Sequence, residues 1–283
     1  MGRFDRPAWP ILHCGRFSHE VEDWEEEIKT MSTELTEEEA KSEYAKYFYM
    51  GQAAPTAENL LAAERGQELD EAETFLPEDF VKIMPSDRVD TLRTGYRVMN
   101  NGIGFAVARI RGEGVTDEMV RYFAEHYRPE GDLFYKTWCP GVHMRHYVDM
   151  AVEDVGCGME AIRFVDFFGP EQLGFVEDAE RTYPKCITVS GGNGEAYPLH
   201  KMYQDPRPAF SIRYTREIDG GRESLMFYWH GLHWKNGKSV RVIPEGVFVE
   251  EADVRTQIWH CIHEQETEFR TIREFWKDRQ NTR

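Results

Sequence analysis

Cysteine is scarce in this sequence, and its distribution excludes two common uses of the residue. The five cysteines are an odd number, are widely spaced and form no CxxC pair. This pattern argues against both a disulfide framework and a zinc-finger site. We therefore interpret all five as reduced thiols: Cys14, Cys139, Cys157, Cys186 and Cys261.

Long apolar runs and basic clusters are also missing. The 51 acidic residues outnumber the 34 basic ones, the formal net charge is -17, and no Lys/Arg-rich run concentrates positive potential. Such a chain is a poor partner for nucleic acid or for an anionic membrane. No segment approaches the ~20 apolar residues of a membrane span, and the first residues lack the apolar centre of a signal peptide. The sequence predicts a cytoplasmic protein.

The chain divides into an acidic helical region and a β-rich region. The stretches HEVEDWEEEIKTM and TEEEAKSEYAKYFYMG carry helical spacing and many acidic residues, with Gly51 and Pro55 as stop signals. From about Arg93 the pattern changes to short β-rich runs. We predict a helical N-terminal arm over residues 1–85 and a catalytic domain over residues 86–283.

Turn residues divide the second region into hairpins. GYRVM and IGFAVARI flank NNG, YVDMAVEDV and MEAIRFVDFF flank GCG, and AFSIRYTREI and ESLMFYWHGLHW flank DGG. VTDEMVRYFAEHY predicts a helix that Thr116 caps, with His126 on its apolar stripe. A long helix over about residues 252–277 closes the chain. These elements predict an α+β fold in which a curved antiparallel sheet grips the terminal helix.

The pair His260 and Glu264 lies one turn apart on that helix, so the two side chains can converge on one metal ion. The spacing alone is common. On a helical wheel the apolar stripe lies opposite the pair, and this stripe comprises Val254, Ile258, Ile262, Phe269, Ile272 and Trp276. The pair can form a buried site only if the sheet covers one face of the helix and further protein, such as the N-terminal arm, covers the other.

Other candidate residues stay open at this level. His126 and Glu153 could complete a metal site, but a histidine on an apolar stripe and a glutamate on a strand are more often structural. The aromatic run FYWHGLHW, which contains Tyr228 and His230, could line a pocket for a phenolic ligand or could be ordinary sheet packing. The sequence contains no GxSxG motif, and thus offers no support for an acyl-enzyme mechanism.

Several blocks in one order resemble a known family. They are GYRVMNNGIGFAVARIRGEGVTDEMVRYFAEHY, the Trp-x-Pro-x-x-His block that ends at His143, VEDVGCGMEAIRFVDFF, and HCIHE. Between about residues 95 and 269 the chain resembles the diacetylphloroglucinol and phloretin hydrolases. The resemblance implies a helix-grip fold like that of the birch-pollen allergen, and hydrolysis of the carbon-carbon bond between an acyl group and a phloroglucinol ring.

The resemblance also implies a zinc site and its ligands. Carried over residue by residue, the ligands are His126, Glu153, His260 and Glu264. Glu153, Glu264 or a metal-bound hydroxide would act as base, with His126 beside the two glutamates in the site. Candidates to hold phenolic oxygens are Tyr122, His143, Tyr228 and His230. Glu160 and His263 are rival ligands.

Two other function classes remain open. Two histidines and a carboxylate also suit a non-haem iron oxygenase that cleaves a diketone. A helix-grip protein could instead bind a phenolic compound without catalysis. The resemblance favours a small acylphloroglucinol substrate, and the frequency of symmetric oligomers favours a homodimer.

Overall fold

A computed structural model describes most of the chain. It covers residues 32–64, 69–83, 86–156, 159–168, 186–190, 207–235 and 238–281, without the side chains of residues 63–64, 81, 128, 145–168, 186–190, 207–210 and 233–235. The predicted helical stretch HEVEDWEEEIKTM and part of the GCG turn lie outside these residues. None of the helices in the described ranges combines the length and apolarity that crossing a membrane requires.

The described helices are short except for the last. They are α1 (Ala45–Phe48), α2 (Ala57–Glu64), α3 (Phe80–Ile83), α4 (Arg88–Thr91), α5 (Asp117–His126), α6 (Asp132–Trp138) and α7 (Glu251–Asn281). Short 3-10 turns occupy Glu39–Lys41, Glu71–Glu73, Pro77–Asp79 and Arg128–Glu130. The predicted terminal helix is confirmed and extends four residues beyond residue 277.

Seven strands form one sheet. They are β1 (Gly95–Val98), β2 (Gly104–Glu113), β3 (His143–Gly156), β4 (Met159–Phe168), β5 (Cys186–Ser190), β6 (Arg207–Ile218) and β7 (Gly221–His230), in the spatial order β1-β2-β7-β6-β5-β4-β3. The short strands β8 (Leu232–Lys235) and β9 (Lys238–Arg241) form a separate hairpin. The three predicted hairpins are confirmed.

One strand pair departs from the predicted antiparallel arrangement. Neighbouring strands are antiparallel except β5 and β6, which run parallel. A parallel pair requires a long crossover instead of a tight turn, and residues 191–206 supply the length. The glycine-rich stretch GGNG at residues 191–194 indicates a turn or loop, but such a signal does not show how long the connection is or in which direction the next strand runs. The observed fold is α+β, with a largely antiparallel sheet and a long terminal helix.

Residues 69–92 cover one face of the sheet. The Phe75 ring lies 5.1 Å from Phe105, 5.4 Å from Phe227 and 5.8 Å from Trp229, measured between ring centroids. The Trp229 indole nitrogen donates a hydrogen bond of 2.6 Å to the Phe75 carbonyl. Because Phe105, Phe227 and Trp229 are fully buried, this segment is part of the core.

Helix α7 covers the opposite face with the predicted apolar stripe. Five of its six members are buried, namely Val254, Ile258, Ile262, Phe269 and Ile272, and Trp276 is half-buried. Strand β2 provides space for the helix where it lacks side chains. A Cβ atom built on Gly112 would lie 2.7 Å from the Phe269 ring, and one on Gly104 would lie 2.4 Å from Val254. The close approach of helix and sheet therefore depends on glycine.

Replacing Gly112 with alanine is expected to destabilise the fold by about 1–3 kcal/mol, because the added methyl group overlaps the buried Phe269 ring. The exposed neighbour Glu113 provides a control, since Glu113→Ala changes the same strand without entering the core. Urea unfolding of both variants measures the effect. Equal stability of the two variants would show that the helix can move away from the strand without cost.

The N-terminal residues cover the side of α7 that faces away from the sheet. The backbone nitrogen of Ala53 donates to Thr267 Oγ1 at 2.9 Å, and the Asn59 amide donates to Glu266 Oε1 at 3.1 Å. Nearer the end of the helix, Tyr47 donates to Asp278 at 2.8 Å. Helix α7 is therefore covered on both faces, which is the condition under which its polar side chains can form a buried site.

Helix α5 follows its predicted pattern in all but its last residue. Thr116 caps it by accepting a hydrogen bond from the Met119 nitrogen, and Met119 and Phe123 are buried. The interpretation that His126 shares this buried stripe is wrong. His126 is exposed because the helix ends there and its ring lies against Tyr122, with centroids 4.1 Å apart.

Candidate metal centre

A tight turn after α6 brings Cys139 and His143 to the same side of the chain. The Cys139 carbonyl accepts hydrogen bonds of 3.0 Å from the backbone nitrogens of both Val142 and His143. Gly141 has a φ of +82°, a left-handed conformation that costs glycine least. The sequence CPGVH thus encodes a closed turn that places a thiol and an imidazole next to each other.

The imidazole of His143 is held in one orientation. Its Nδ1 atom lies 2.8 Å from the Tyr135 carbonyl, and its ring stacks on the Tyr135 ring at 3.9 Å between centroids. Because a carbonyl can only accept, Nδ1 carries the proton in this contact. In the neutral ring the lone pair is therefore on Nε2, and this atom lies 3.2 Å from Nε2 of His260.

Helix α7 contributes His260 and Glu264 to the same place. The His260 Nε2 atom lies 3.5 Å from Glu264 Oε2, and both side chains are buried. Among the described residues, Cys139, His143 and His260 form a group whose ligand atoms all lie within 4.8 Å of one another. Glu264 adds a carboxylate at its edge. This donor set fits a divalent metal ion, since imidazole, thiolate and carboxylate are all ligands of zinc.

Burial sets the protonation of these groups. It lowers the pKa of His260 to about 4, with a further contribution from His263, so the ring is neutral at neutral pH and can donate a lone pair. Burial and the nearby charges of Glu264 and Cys261 raise the pKa of the Cys139 thiol. A cation bound beside Cys139 would reverse this effect, because metal coordination deprotonates a thiol.

Three of the predicted site residues come together, and His126 does not join them. His143, His260 and Glu264 share the cluster. His126 binds the Tyr122 carbonyl through Nδ1 at 2.9 Å, and the Tyr122 ring contacts Phe275 and Trp276 near the end of α7. Phe275 lies 11 positions beyond Glu264, which is about 16 Å along a helix. His126 and Tyr122 therefore lie away from the His260–Glu264 pair.

Glu153 and Glu160 lie on the hairpin of β3 and β4. Glu153 pairs with Ala161, and Glu160 pairs with Asp154. Their side chains fall outside the described residues. Glu153 lies further along the strand that begins at His143, so the cluster and this candidate ligand share one element.

Two other candidates have defined places. Tyr228 is buried on the α7 face of β7 and hydrogen-bonds the Cys261 thiol, and the His230 ring lies 6.4 Å from the Tyr228 ring. Both therefore line the sheet beside the helix. His263 lies three residues after His260 on α7, with its ring 4.3 Å from Trp259, and its charge contributes to the lowered pKa of His260. It is not a member of the group that Cys139, His143 and His260 form.

Sequence reasoning missed Cys139 and a partly buried ion pair. Cys139 was interpreted as an isolated thiol, although its spacing from His143 across a Pro-Gly turn was a usable signal. Arg213 on β6 forms a partly buried ion pair with Glu268 on α7. Burial acts to lower the pKa of Arg213, but Glu268 and, more weakly, Glu264 raise it. The face of α7 that carries the cluster is therefore polar, and Glu268 on it is paired with Arg213.

The fold and this cluster define an α+β enzyme with interior side chains able to hold a metal ion at the junction of sheet and helix. The sequence profile of the DAPG hydrolase PhiG domain matches residues 76–150 and 146–275. The chain belongs to the DAPG hydrolase family, and it is a hydrolase that acts on carbon-carbon bonds. It is similar to the phloretin hydrolase of Eubacterium ramulus, with 24% identity over 244 residues that cover 76% of this chain and 82% of that protein.

Proposed function

We propose that the chain is a cytoplasmic, zinc-dependent hydrolase that cleaves the bond between an acyl side chain and a phloroglucinol ring. The observation that carries the proposal is the buried group of His143, His260 and Glu264 inside a member of the DAPG hydrolase family. The proposed substrates are phloretin, which would yield phloroglucinol and a phenylpropanoic acid, and diacetylphloroglucinol, which would yield monoacetylphloroglucinol and acetate. The similarity to a phloretin hydrolase supports the first.

The architecture is proposed to be a helix-grip fold, with residues 1–85 as an N-terminal arm and residues 86–283 as the catalytic domain. The close packing of the long helix α7 against β2 and the family resemblance support this assignment. The cluster lies within the second range. We also propose a homodimer, which the exposed apolar side chains Tyr49, Met50 and Leu61 support. Light scattering in solution measures the mass.

The metal is proposed to be held by His260 and Glu264, on which the resemblance and the geometry agree. Both side chains are buried one turn apart on α7. The resemblance adds Glu153 from β3 and names His126 as the remaining ligand. Zinc bound there supplies Lewis acidity, which polarises a carbonyl and lowers the pKa of a bound water molecule to about 7.

The reaction must turn a ring carbon into a leaving group. The phloroglucinol ring can take a keto form, in which the acyl group and the ring carbonyl make a β-diketone. Water supplies a hydroxyl group to the acyl carbon and a proton to the ring carbon, so the products are a carboxylic acid and a phenol. Glu264 or Glu153 would remove the proton from water as general base. Tyr228 and His230 would hold ring oxygens and stabilise the departing enolate.

An anaerobic assay tests the proposal. Purified protein is incubated with phloretin and with diacetylphloroglucinol, with and without a chelator, and the released phenol is measured. Chelator-sensitive cleavage without oxygen is the expected result. Cleavage that requires air and iron would replace the proposal with an oxygenase, and binding without turnover would replace it with a ligand-binding protein.

A further inference from the structure

We infer that Cys139 and His143 are metal ligands in this chain and take the two ligand positions that the resemblance gives to His126 and Glu153. The inference rests on the proposed function and refines its metal centre. The resulting site would join a thiolate and an imidazole from one turn to His260 and Glu264 from α7. A sulfur ligand would distinguish this centre from one built only from nitrogen and oxygen.

The spacing of the two imidazoles fits a shared ion. Two nitrogens bound to one tetrahedral zinc at about 2.0–2.1 Å are separated by about 3.3 Å. The Nε2 atoms of His143 and His260 are 3.2 Å apart. The ligand atoms of both rings and of Cys139 lie within 4.8 Å of one another, so small side-chain rotations suffice to bring all three to one ion. In the metal-free protein the short contact is a hydrogen bond between the rings.

The orientation of His143 is the one that metal-binding histidines adopt. Such residues donate the second ring N–H to a carbonyl or carboxylate, which fixes the tautomer and the ring plane. His143 makes this contact with the Tyr135 carbonyl at 2.8 Å, and the Tyr135 ring holds the imidazole by stacking. Tyr135 thus orients the His143 ring so that the Nε2 lone pair faces His260.

Cys139 is held in place in a similar way. Its carbonyl closes the turn to His143 through two hydrogen bonds. The Gln52 side-chain amide donates to the Cys139 sulfur at 3.6 Å and to the Pro140 carbonyl at 3.0 Å. An N–H group directed at sulfur stabilises a thiolate. Both ligands of the turn are therefore positioned by hydrogen bonds that do not involve a metal.

The ligand set has a consequence for metal choice. Thiolate is a soft ligand that favours zinc, cobalt and copper, whereas Mg²⁺ and Mn²⁺ favour oxygen ligands. We therefore expect the protein to bind Zn²⁺ or Co²⁺ and to reject Mg²⁺.

Cobalt spectroscopy tests the assignment without relying on activity. Thiolate sulfur bound to Co²⁺ gives an intense near-ultraviolet charge-transfer band that nitrogen and oxygen ligands do not produce. The band is expected in the cobalt-loaded full-length protein and is expected to disappear in Cys139→Ser. The matched control is Cys261→Ser, a second buried thiol near Glu264, which should retain the band. Zinc affinity should fall at least about tenfold in Cys139→Ser and in His143→Ala.

Two results would overturn the inference: stoichiometric cobalt without the band in the wild-type protein, or loss of bound metal in His126→Ala. If Cys139→Ser fails to fold, the spectrum of the cobalt-loaded wild-type protein alone tests whether a thiolate binds the metal. The anaerobic cleavage assay separates this inference from the proposed function. A thiolate band without cleavage would support the proposed metal ligands and contradict the proposed reaction. Cleavage without the band would support the reaction and contradict Cys139 as a ligand.

Discussion

Replacing His260 with alanine is expected to remove the bound metal and to lower kcat/KM by more than about 100-fold, since even residues that only support a metal ligand contribute 10- to 100-fold. The physical reason is that His260 stands at the centre of the cluster. Its Nε2 atom lies 3.2 Å from His143 Nε2 and 3.5 Å from Glu264 Oε2, so it contacts both side chains. Metal content by mass spectrometry and the rate of phloretin cleavage are measured on the same sample.

The control for this variant lies on the same helix. His263 is half-buried, packs against Trp259 and is not a member of the group that Cys139, His143 and His260 form. We expect His263→Ala to retain its metal and to lose less than about tenfold in kcat/KM, a loss of the size expected of an outer contact. Full activity in a metal-depleted His260→Ala protein would end the proposal of a metal-dependent hydrolase.

Replacing Glu223 with glutamine is expected to cause the largest loss of stability. Glu223 is fully buried, and Arg109 contacts both of its carboxylate oxygens, at 2.7 and 3.0 Å, while Arg216 donates to one of them at 2.9 Å. Removing one partner of a buried ion pair costs about 3–5 kcal/mol because the remaining charges are left uncompensated. For a chain of this size the melting temperature should fall by roughly 6–15 °C.

A second arginine on the same strand provides the comparison. Arg111 also reaches Glu223, at 3.5 Å, but its side chain is 66% exposed. An exposed pair contributes at most about 1 kcal/mol, so Arg111→Gln should melt close to the wild-type protein. Similar melting temperatures for the Glu223 and Arg111 variants would show that the buried network contributes no more than a surface pair.

The effect of Glu223 is expected to depend on pH. Burial acts to raise the pKa of this carboxyl group, but Arg109 and Arg216 outweigh it and hold the pKa below its ordinary value of 4.5. A lowered pKa means that the charged form stabilises the fold above pH 4.5, and that this contribution disappears as the pH falls through the folded-state pKa. The difference in unfolding free energy between wild type and Glu223→Gln should therefore shrink in acid. A constant difference from pH 7 to pH 3 would contradict this account.

Local pattern was sufficient to predict the elements of the fold. The hairpins follow from turn residues, and the apolar stripe of α7 follows from its helical period. The pairing of β5 with β6 could not be predicted, because it depends on where a long connection returns to the sheet. The packing of the N-terminal residues against α7 could not be predicted for the same reason, since the hydrogen bonds of Ala53 and Asn59 join positions more than 200 residues apart.

The candidate site could likewise be predicted only where it depends on local spacing. The spacing of His260 and Glu264 was visible in the sequence, but the wheel placed the pair opposite the apolar stripe. That side becomes an interior because residues 51–59 cover α7 at Glu266 and Thr267 and the turn that carries His143 packs against His260. Cys139 was missed because its relevance depends on the geometry of a turn. The helical period placed His126 on the apolar stripe of α5 but could not show that this end of the stripe is exposed.

The cover of α7 by the N-terminal residues also determines when the cluster can form during synthesis. The contacts of residues 47–59 with α7 connect positions that are 207 to 231 residues apart. At the usual rate of translation of about 5–20 residues per second, the N-terminal segment leaves the ribosome roughly 10–45 s before its helix does. During that interval its aromatic side chains, such as Tyr47, lack the part of their native surroundings that α7 supplies. This segment is therefore where we expect chaperones to engage the nascent chain.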